Sequence, residues 1–163
     1  SSLYGAQLAA ALGLPFAFAA HFAPDHLINA LRLYRNGFRP SSRLSKPYAM
    51  AAIQVFAADT DAEAAHLFTS LQQSFVSLRR GMPGPLPPPV RNMEAIWSPA
   101  EKAGVDAAFR EAVVGSPATV QRGLAAFLQR TGVDELMVTG AIHDHAARLH
   151  NLRLIAQIRD AMT

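Results

Sequence analysis

The sequence contains no cysteine, and this absence excludes disulfides, thiolate nucleophiles and metal sites built on cysteine. It also favours the reducing cytoplasm over a secreted location. Long apolar runs are missing too. Polar residues such as Gln7, His21 and Asp25 interrupt the hydrophobic stretches before they reach the length that spans a bilayer. No basic flank opens the chain, so we expect neither a membrane partner nor a secretion signal.

Charged residues are scarce, at 17% of the 163 residues, and the net charge at pH 7 is only +3. Arg79 and Arg80 form the one adjacent basic pair, and no basic run alternates with aromatics. A nucleic-acid surface needs clustering along one face, so we expect no nucleic-acid partner. The Gly-x-Ser-x-Gly and Gly-x-x-x-x-Gly-Lys motifs are also absent, which leaves hydrolase and P-loop functions without support.

Half of the residues are hydrophobic, and apolar stretches alternate with amphipathic ones. The segments PFAFAA (15–20), YAMAAIQVFAA (48–58) and ELMVTG (135–140) predict three strands, of which the first is expected to be covered on both faces. Tandem strand–helix units are typical of a parallel sheet with right-handed crossovers, either doubly wound or closed into an eight-fold barrel. Three parallel strands leave two open edges, so we expect their missing neighbours to come from elsewhere.

Capping residues and apolar periodicity define the helices between the strands. The predicted caps are Ser1 or Ser2 with Gly13 for a helix over 2–12, Thr60 with Glu63, Ser98 with Glu101, Ser116, and Asp144. The side chains predicted on buried helix faces are Leu27, Leu31, Tyr34 and Phe38; Ala64, Leu67, Leu71, Phe75 and Leu78; Val120, Leu124 and Phe127; and Leu149, Leu152, Ile155, Ile158 and Met162.

The segment GMPGPLPPPV (81–90) cannot form a regular helix, because its prolines remove backbone donors and fix φ. It predicts an extended Pro/Gly-rich insertion over residues 80–100. The one tryptophan of the chain, Trp97, follows the prolines. Its side chain either pins the insertion to the body of the domain or covers a pocket, so the insertion is a candidate determinant of substrate choice.

Five stretches together resemble a known family: SSLYGAQLAAALGLPFAFAAHFAP, LYRNGFRPS, PGPLPPPV, VVGSPATV and GVDELMVTGAIHDHAARL. They are similar to the luciferase-like monooxygenases, which are flavin-dependent (β/α)8 barrels related to bacterial luciferase, and within these to the LLM-class flavin-dependent oxidoreductases. The resemblance implies that residues 1–163 are the C-terminal part of a single TIM-barrel domain, with strands six to eight and their helices. The chain also lacks an initiator methionine, which suggests processing or truncation.

The resemblance assigns the first turn to the flavin phosphate. Ser2 would contact the phosphate through its hydroxyl and amide, Ser1 through its backbone, and Gly5 would let the phosphate approach. Free amides and the positive end of a helix dipole do attract anions, although the same residues describe an ordinary capped helix. Small Ala19 and Ala20 would leave room for the flavin ring.

Three histidines are further candidates. His21, at the end of the first strand, is the catalytic candidate and would hydrogen-bond flavin, substrate or peroxide; the alternative is a loop histidine bonded to backbone. His143 and His145 would line the mouth of the pocket, with Asp144 as a helix cap between them. A metal site needs three or more converging ligands. Adjacent residues at a helix start diverge and no second cluster is evident, so we expect no metal.

The activity implied by the resemblance is oxidation of a small organic substrate by reduced FMN and oxygen, with a flavin reductase as a possible partner. Coenzyme F420 is the alternative cofactor, because the phosphate turn does not separate the two. With the front half of the barrel missing, we expect the fragment alone to be inactive and to form a homo-oligomer through its open sheet edges. The alternative function is a non-catalytic flavin-binding or assembly module.

Overall fold

The structure, a computed structural model, describes residues 2–162, so Ser1 lies outside the described residues. The helices are α1 (Leu3–Leu12), α2 (Leu27–Gly37), α3 (Asp61–Arg79), α4 (Pro99–Ala108), α5 (Pro117–Thr131) and α6 (His145–Met162). The strands are β1 (Phe16–Ala19), β2 (Ala49–Ala57), β3 (Val113–Gly115) and β4 (Glu135–Thr139). Among residues 2–162, no helix has both the length and the apolar character needed to cross a bilayer.

The chain forms two compact units. The first contains the residues up to Gln54 together with Ala126–Thr139, and the second contains Val55–Ala125 together with the residues from Gly140 onward. The class is α/β with an open parallel sheet, as the sequence predicts. In the first unit β2 lies between β1 and β4, with Ala17 opposite Met50 and Met50 opposite Glu135.

A fourth strand corrects the prediction of three. In the second unit β3 pairs in parallel with the end of β2, with Val55 opposite Val113 and Ala57 opposite Gly115. A strand of three residues is too short to show an alternation of apolar and polar side chains. It forms because β2 offers it an unpaired edge, which the local sequence cannot reveal.

The two faces of the first unit's sheet differ in burial. One face carries Phe16, Phe18, Ala51 and Ile53, all at most 6% exposed. The other carries three rows defined by the pairing: Ala17, Met50 and Glu135; Ala19, Ala52 and Met137; and Gln54 and Thr139. On this second face Ala17 and Glu135 are exposed, and Met137 is 54% exposed. The prediction that the first strand is covered on both faces is therefore wrong, because alanine is apolar but fits an open face as well as a buried one.

The core of the first unit is built on α2. Leu27, Leu31 and Tyr34 are buried, as their helical spacing predicts, and α1 packs against the same helix. The Tyr34 ring lies 5.2 Å from the ring of Phe16 and 5.7 Å from that of Phe38. Aromatic side chains contribute large apolar areas, so this cluster supplies much of the burial in the unit.

The second unit has a core of Phe56, Ala58, Ala64, Leu67 and Ile142. Three predicted core residues are instead exposed: Leu78 at 58%, Leu149 at 39% and Leu152 at 49%. On α6 the buried stripe is Asn151, Leu154, Ile155 and Ile158. Ile155 and Ile158 are thus buried as predicted, but the stripe continues through Asn151 and Leu154 rather than through Leu149 and Leu152, because it includes a polar residue that an apolar pattern does not show. On α3 the buried position near the end is Val76 rather than Leu78.

Candidate functional site

The N-terminus of α1 is a capped helix start. Ser2 is extended, and its Oγ accepts a hydrogen bond from the Gly5 amide at 3.0 Å. No acidic side chain lies in the first turn, so the positive end of the helix dipole is not offset by a local carboxylate. A Cβ at position 5 would lie 3.4 Å from Ser2 Oγ, in ordinary van der Waals contact with the hydroxyl that caps the helix. The turn can therefore offer both a hydroxyl and helix-end amides to an anion.

The end of β1 holds the other sequence-predicted residues of the first unit. Ala19 is half-buried and lies on the exposed sheet face, whereas Ala20 is fully buried. The backbone of His21 donates to the carbonyl oxygen of Ala52 at 3.0 Å. The structure thus places Ala19, Ala20 and His21 at one turn, and Ser2 and Gly5 at another.

One ring nitrogen of His21 forms a hydrogen bond with the backbone, and the other ring nitrogen stays available. Its Nδ1 lies 3.1 Å from the Ala52 carbonyl oxygen. A carbonyl oxygen can only accept, so Nδ1 is assigned the proton and Nε2 remains available as an acceptor. The ring also lies 4.1 Å from the ring of Phe22, an 81% exposed side chain. A fixed tautomer with a free Nε2 suits a group that orients a ligand or takes a proton from it.

Gln54 is a candidate that sequence reasoning missed. It lies on the exposed face of the sheet opposite Thr139 and two residues after Ala52. Its side chain is only 8% exposed, and its Oε1 is buried without a hydrogen-bond partner. A buried acceptor left unpaired costs about 1–3 kcal/mol, so such an atom points to a missing donor. The available signal was that Gln54 is the one polar residue within β2.

His143 and His145 belong to the second unit and are both exposed. The carboxylate of Asp144 accepts a hydrogen bond from the Ala147 amide at 2.7 Å, so it caps α6 as the sequence predicts. Nδ1 of His145 lies 2.9 Å from the Arg148 guanidinium. Within residues 2–162, no group of three or more histidine, aspartate and glutamate side chains is placed to hold a metal ion.

The Pro-rich insertion packs along α3 in the second unit. Thr69 Oγ1 accepts from the Val90 amide at 2.9 Å, and Gln73 donates to the Pro88 carbonyl at 2.9 Å. The far end of the insertion is tied down by Arg80, which contacts Glu101 at 2.7 Å. The Arg80 guanidinium, followed by the Ser98 amide, lowers the pKa of Glu101 to about 2.

A cavity of about 720 Å³ opens between α3, the insertion and β3. Phe68, Val90, Met93 and Trp97 form apolar walls, and Asp61 lies on its rim. The Ser116 amide donates to the Asp61 carboxylate at 2.6 Å, and this bond lowers the pKa of Asp61. None of the predicted flavin-site or pocket-mouth residues lines the cavity, although four of its lining residues, Trp97 among them, lie in the predicted insertion over 80–100.

Comparison with known proteins identifies a family that this chain matches. A family model described as luciferase-like monooxygenase matches residues 1–135. A protein of Escherichia coli (strain K12) named luciferase-like monooxygenase is 56% identical over 162 residues, which are 99% of this chain and 48% of that protein. The chain thus spans about half the length of the curated relatives it matches.

Two solved structures have the same fold over about half of their chains. The structure of apo-MsnO8 matches with a TM-score of 0.82 and 30% identity, over 98% of this chain and 49% of that one. The oxygenating constituent of 3,6-diketocamphane monooxygenase from Pseudomonas putida, a type II Baeyer–Villiger monooxygenase solved in complex with FMN, matches with a TM-score of 0.58 and 23% identity. It is matched over 92% of this chain and 43% of that one.

Proposed function

Because the chain belongs to the luciferase-like monooxygenase family, we propose that its first unit supplies part of the flavin site of a (β/α)8-barrel monooxygenase. In this proposal residues 1–163 are the C-terminal portion of one TIM-barrel domain, and β1, β2 and β4 are strands six, seven and eight. One observation carries the proposal: the exposed sheet face bears small side chains beside Gln54, whose buried oxygen lacks a donor.

The residues present fit a flavin. The α1 turn would bind the phosphate through the hydroxyl and amide of Ser2, with backbone from Ser1 and room provided by Gly5. Ala19 and Ala20 would leave space for the ring, and Gln54 Oε1 would accept a hydrogen bond from a ring N–H. Nε2 of His21 would orient the flavin or substrate. His143 and His145 remain predicted pocket residues of the second unit.

The reaction proposed for the whole protein is oxidation of a small organic substrate. A bound reduced FMN would supply reactivity towards oxygen, and coenzyme F420, the alternative, would supply a hydride. The residues of the chain would bind and orient the cofactor and the substrate and would exclude water. A flavin reductase would deliver reduced FMN. Since the chain spans 48% of its relative, we propose that it has little or no turnover alone and self-associates through its open sheet edges.

Flavin binding by the 163-residue chain tests the proposal. Quenching of flavin fluorescence gives the Kd for FMN and for riboflavin, which lacks the phosphate. We expect Ser2→Ala to weaken FMN roughly tenfold and to leave riboflavin unchanged, since one charge-assisted bond is lost. Ser98→Ala, which removes the equivalent cap from α4, should change neither Kd. Gln54→Met should weaken both flavins equally.

Oxygen consumption distinguishes the two candidate functions in one direction. Flavin binding together with substrate-dependent oxygen consumption supports an enzyme. Flavin binding without turnover is expected both for the C-terminal part of an enzyme and for the second candidate, a non-catalytic flavin-binding or assembly module, and the half-length match to the relatives agrees with either. If the wild-type chain binds neither FMN nor riboflavin, the proposed flavin site is wrong.

A further inference from the structure

The cavity beside α3 belongs entirely to the second unit, and none of its lining residues has a role in the proposed flavin site. Its volume of about 720 Å³ lies within the roughly 300–1,000 Å³ that small-molecule sites span. Its walls are mostly apolar, with Met93 at 7% exposure as the most buried member. It therefore has the size and lining of a ligand site.

The cavity is formed before any ligand arrives. Its outer wall is the Pro-rich insertion, whose φ angles are restricted by proline. Three side chains of α3 form hydrogen bonds with this wall. Thr69 and His66 bond to the backbone of Val90, and Gln73 bonds to the backbone of Pro88. The His66 Nδ1 is 3.1 Å from the Val90 carbonyl oxygen, so Nδ1 is assigned the proton. A wall that is already ordered lowers the entropy cost of binding.

Two charged side chains line the cavity. Asp61 lies at the rim and keeps its negative charge, while its carboxylate accepts a hydrogen bond from the Ser116 amide. Arg91 also lines the cavity and is exposed. Among residues 2–162, its guanidinium has no hydrogen-bond or ion-pair partner. A guanidinium presents a fork of donors that matches a carboxylate in a bidentate arrangement, and the apolar walls beside it match a hydrocarbon body.

We propose that this cavity binds a small hydrophobic carboxylate, with the carboxylate on Arg91 and the apolar body against Phe68, Met93 and Trp97. This site is additional to the proposed flavin site and does not depend on it. Its ligand class follows from the Arg91 guanidinium beside the apolar side chains of a preformed cavity.

Fluorescence of Trp97, the one tryptophan of the chain, reports on the cavity directly. The 163-residue chain is titrated with adamantane-1-carboxylate as the probe and with adamantane-1-carboxamide as the neutral match. We expect a saturable change with the carboxylate and binding roughly tenfold tighter than that of the amide, since hydrogen bonds to charged groups are the stronger ones. No flavin is present, so failure here is distinct from failure of the flavin assignment.

Three variants locate the binding. Arg91→Met should weaken the carboxylate roughly tenfold and leave the amide unchanged. Arg153→Met, which removes the same charge from an exposed position of α6, should change neither ligand. Ala65→Phe, which places a ring in the cavity from an exposed position of α3, should weaken both. The proposal is overturned by no saturable change in the wild type, by equal affinities for the two ligands, or by an equal loss in Arg91→Met and Arg153→Met.

Discussion

The hydroxyl of Tyr34 gives the sharpest test of how the first unit is held together. It donates to the Leu14 carbonyl at 2.8 Å, lies 3.1 Å from the Tyr48 carbonyl, and accepts from the Tyr48 amide at 3.0 Å. Leu14 precedes β1 and Tyr48 precedes β2. One side-chain oxygen on α2 thus fixes the starts of two neighbouring strands.

Tyr34→Phe removes this oxygen and leaves the ring in place. The contact with the ring of Phe16, at 5.2 Å, should persist, so the loss is one of hydrogen bonds rather than of packing. An unsatisfied part-buried group costs about 1–3 kcal/mol, and the change leaves the Tyr48 amide and one carbonyl without a partner. We therefore expect the free energy of unfolding to fall by about 2–4 kcal/mol.

Urea unfolding followed by circular dichroism measures this change. With a slope of about 2 kcal/mol per M, the midpoint should fall by roughly 1–2 M. The control is Tyr4→Phe, the same chemical change at a side chain that is 71% exposed, which should shift stability by less than about 0.5 kcal/mol. Equal midpoints for Tyr34→Phe and Tyr4→Phe would refute the reasoning.

Two further predictions concern the second unit. Asn151 and Ala57 are both 1% exposed, and Asn151 Oδ1 accepts from the Ala57 amide at 2.6 Å. We therefore expect Asn151→Ala to lower the free energy of unfolding by about 2–4 kcal/mol and to remove the hydrogen-exchange protection of the Ala57 amide. The control Asn36→Ala, at an exposed position, should change neither the stability nor the protection. The second prediction concerns pH. Arg80 lowers the pKa of Glu101 from 4.5 to about 2, so the contribution of the ionised Glu101 to the free energy of unfolding is present above pH 4.5 and is lost as the pH falls towards 2. Glu101→Gln should narrow the difference between the Tm values at pH 7 and pH 2.5, and an unchanged difference contradicts this.

The sequence predicted the helix ends well because capping is local. Ser98 and Glu101 form the reciprocal capping box before α4, and Gly13 adopts φ 61° after α1. For Thr60 the structure shows the forward bond, from the Glu63 amide to its hydroxyl at 3.1 Å. These contacts join residues three positions apart, so the chain carries the whole signal within one turn.

The candidate site could be predicted only in its local parts. The local pattern at Ser2 and Gly5 predicts a capped helix start, which the structure shows, whereas the flavin-site role of Ser2, Gly5 and His21 comes from the family resemblance and stays a prediction. Gln54 was missed because its importance lies in a buried, unpartnered oxygen, which depends on neighbours from other strands. Arg91 was missed for the same reason, since it matters only where the insertion folds back onto α3.

The sequence by itself determined the alternation of strands and helices, the places where helices begin, and membership of a family, because these depend on local composition or on similarity along the chain. The tertiary structure decided which sheet face stays open, that β3 pairs with the end of β2, and that polar Asn151 rather than Leu152 faces the core of the second unit. Burial and pairing depend on residues far apart in the chain. Arg35, for example, donates to the Thr131 carbonyl 96 positions away, and no local pattern encodes such a partner.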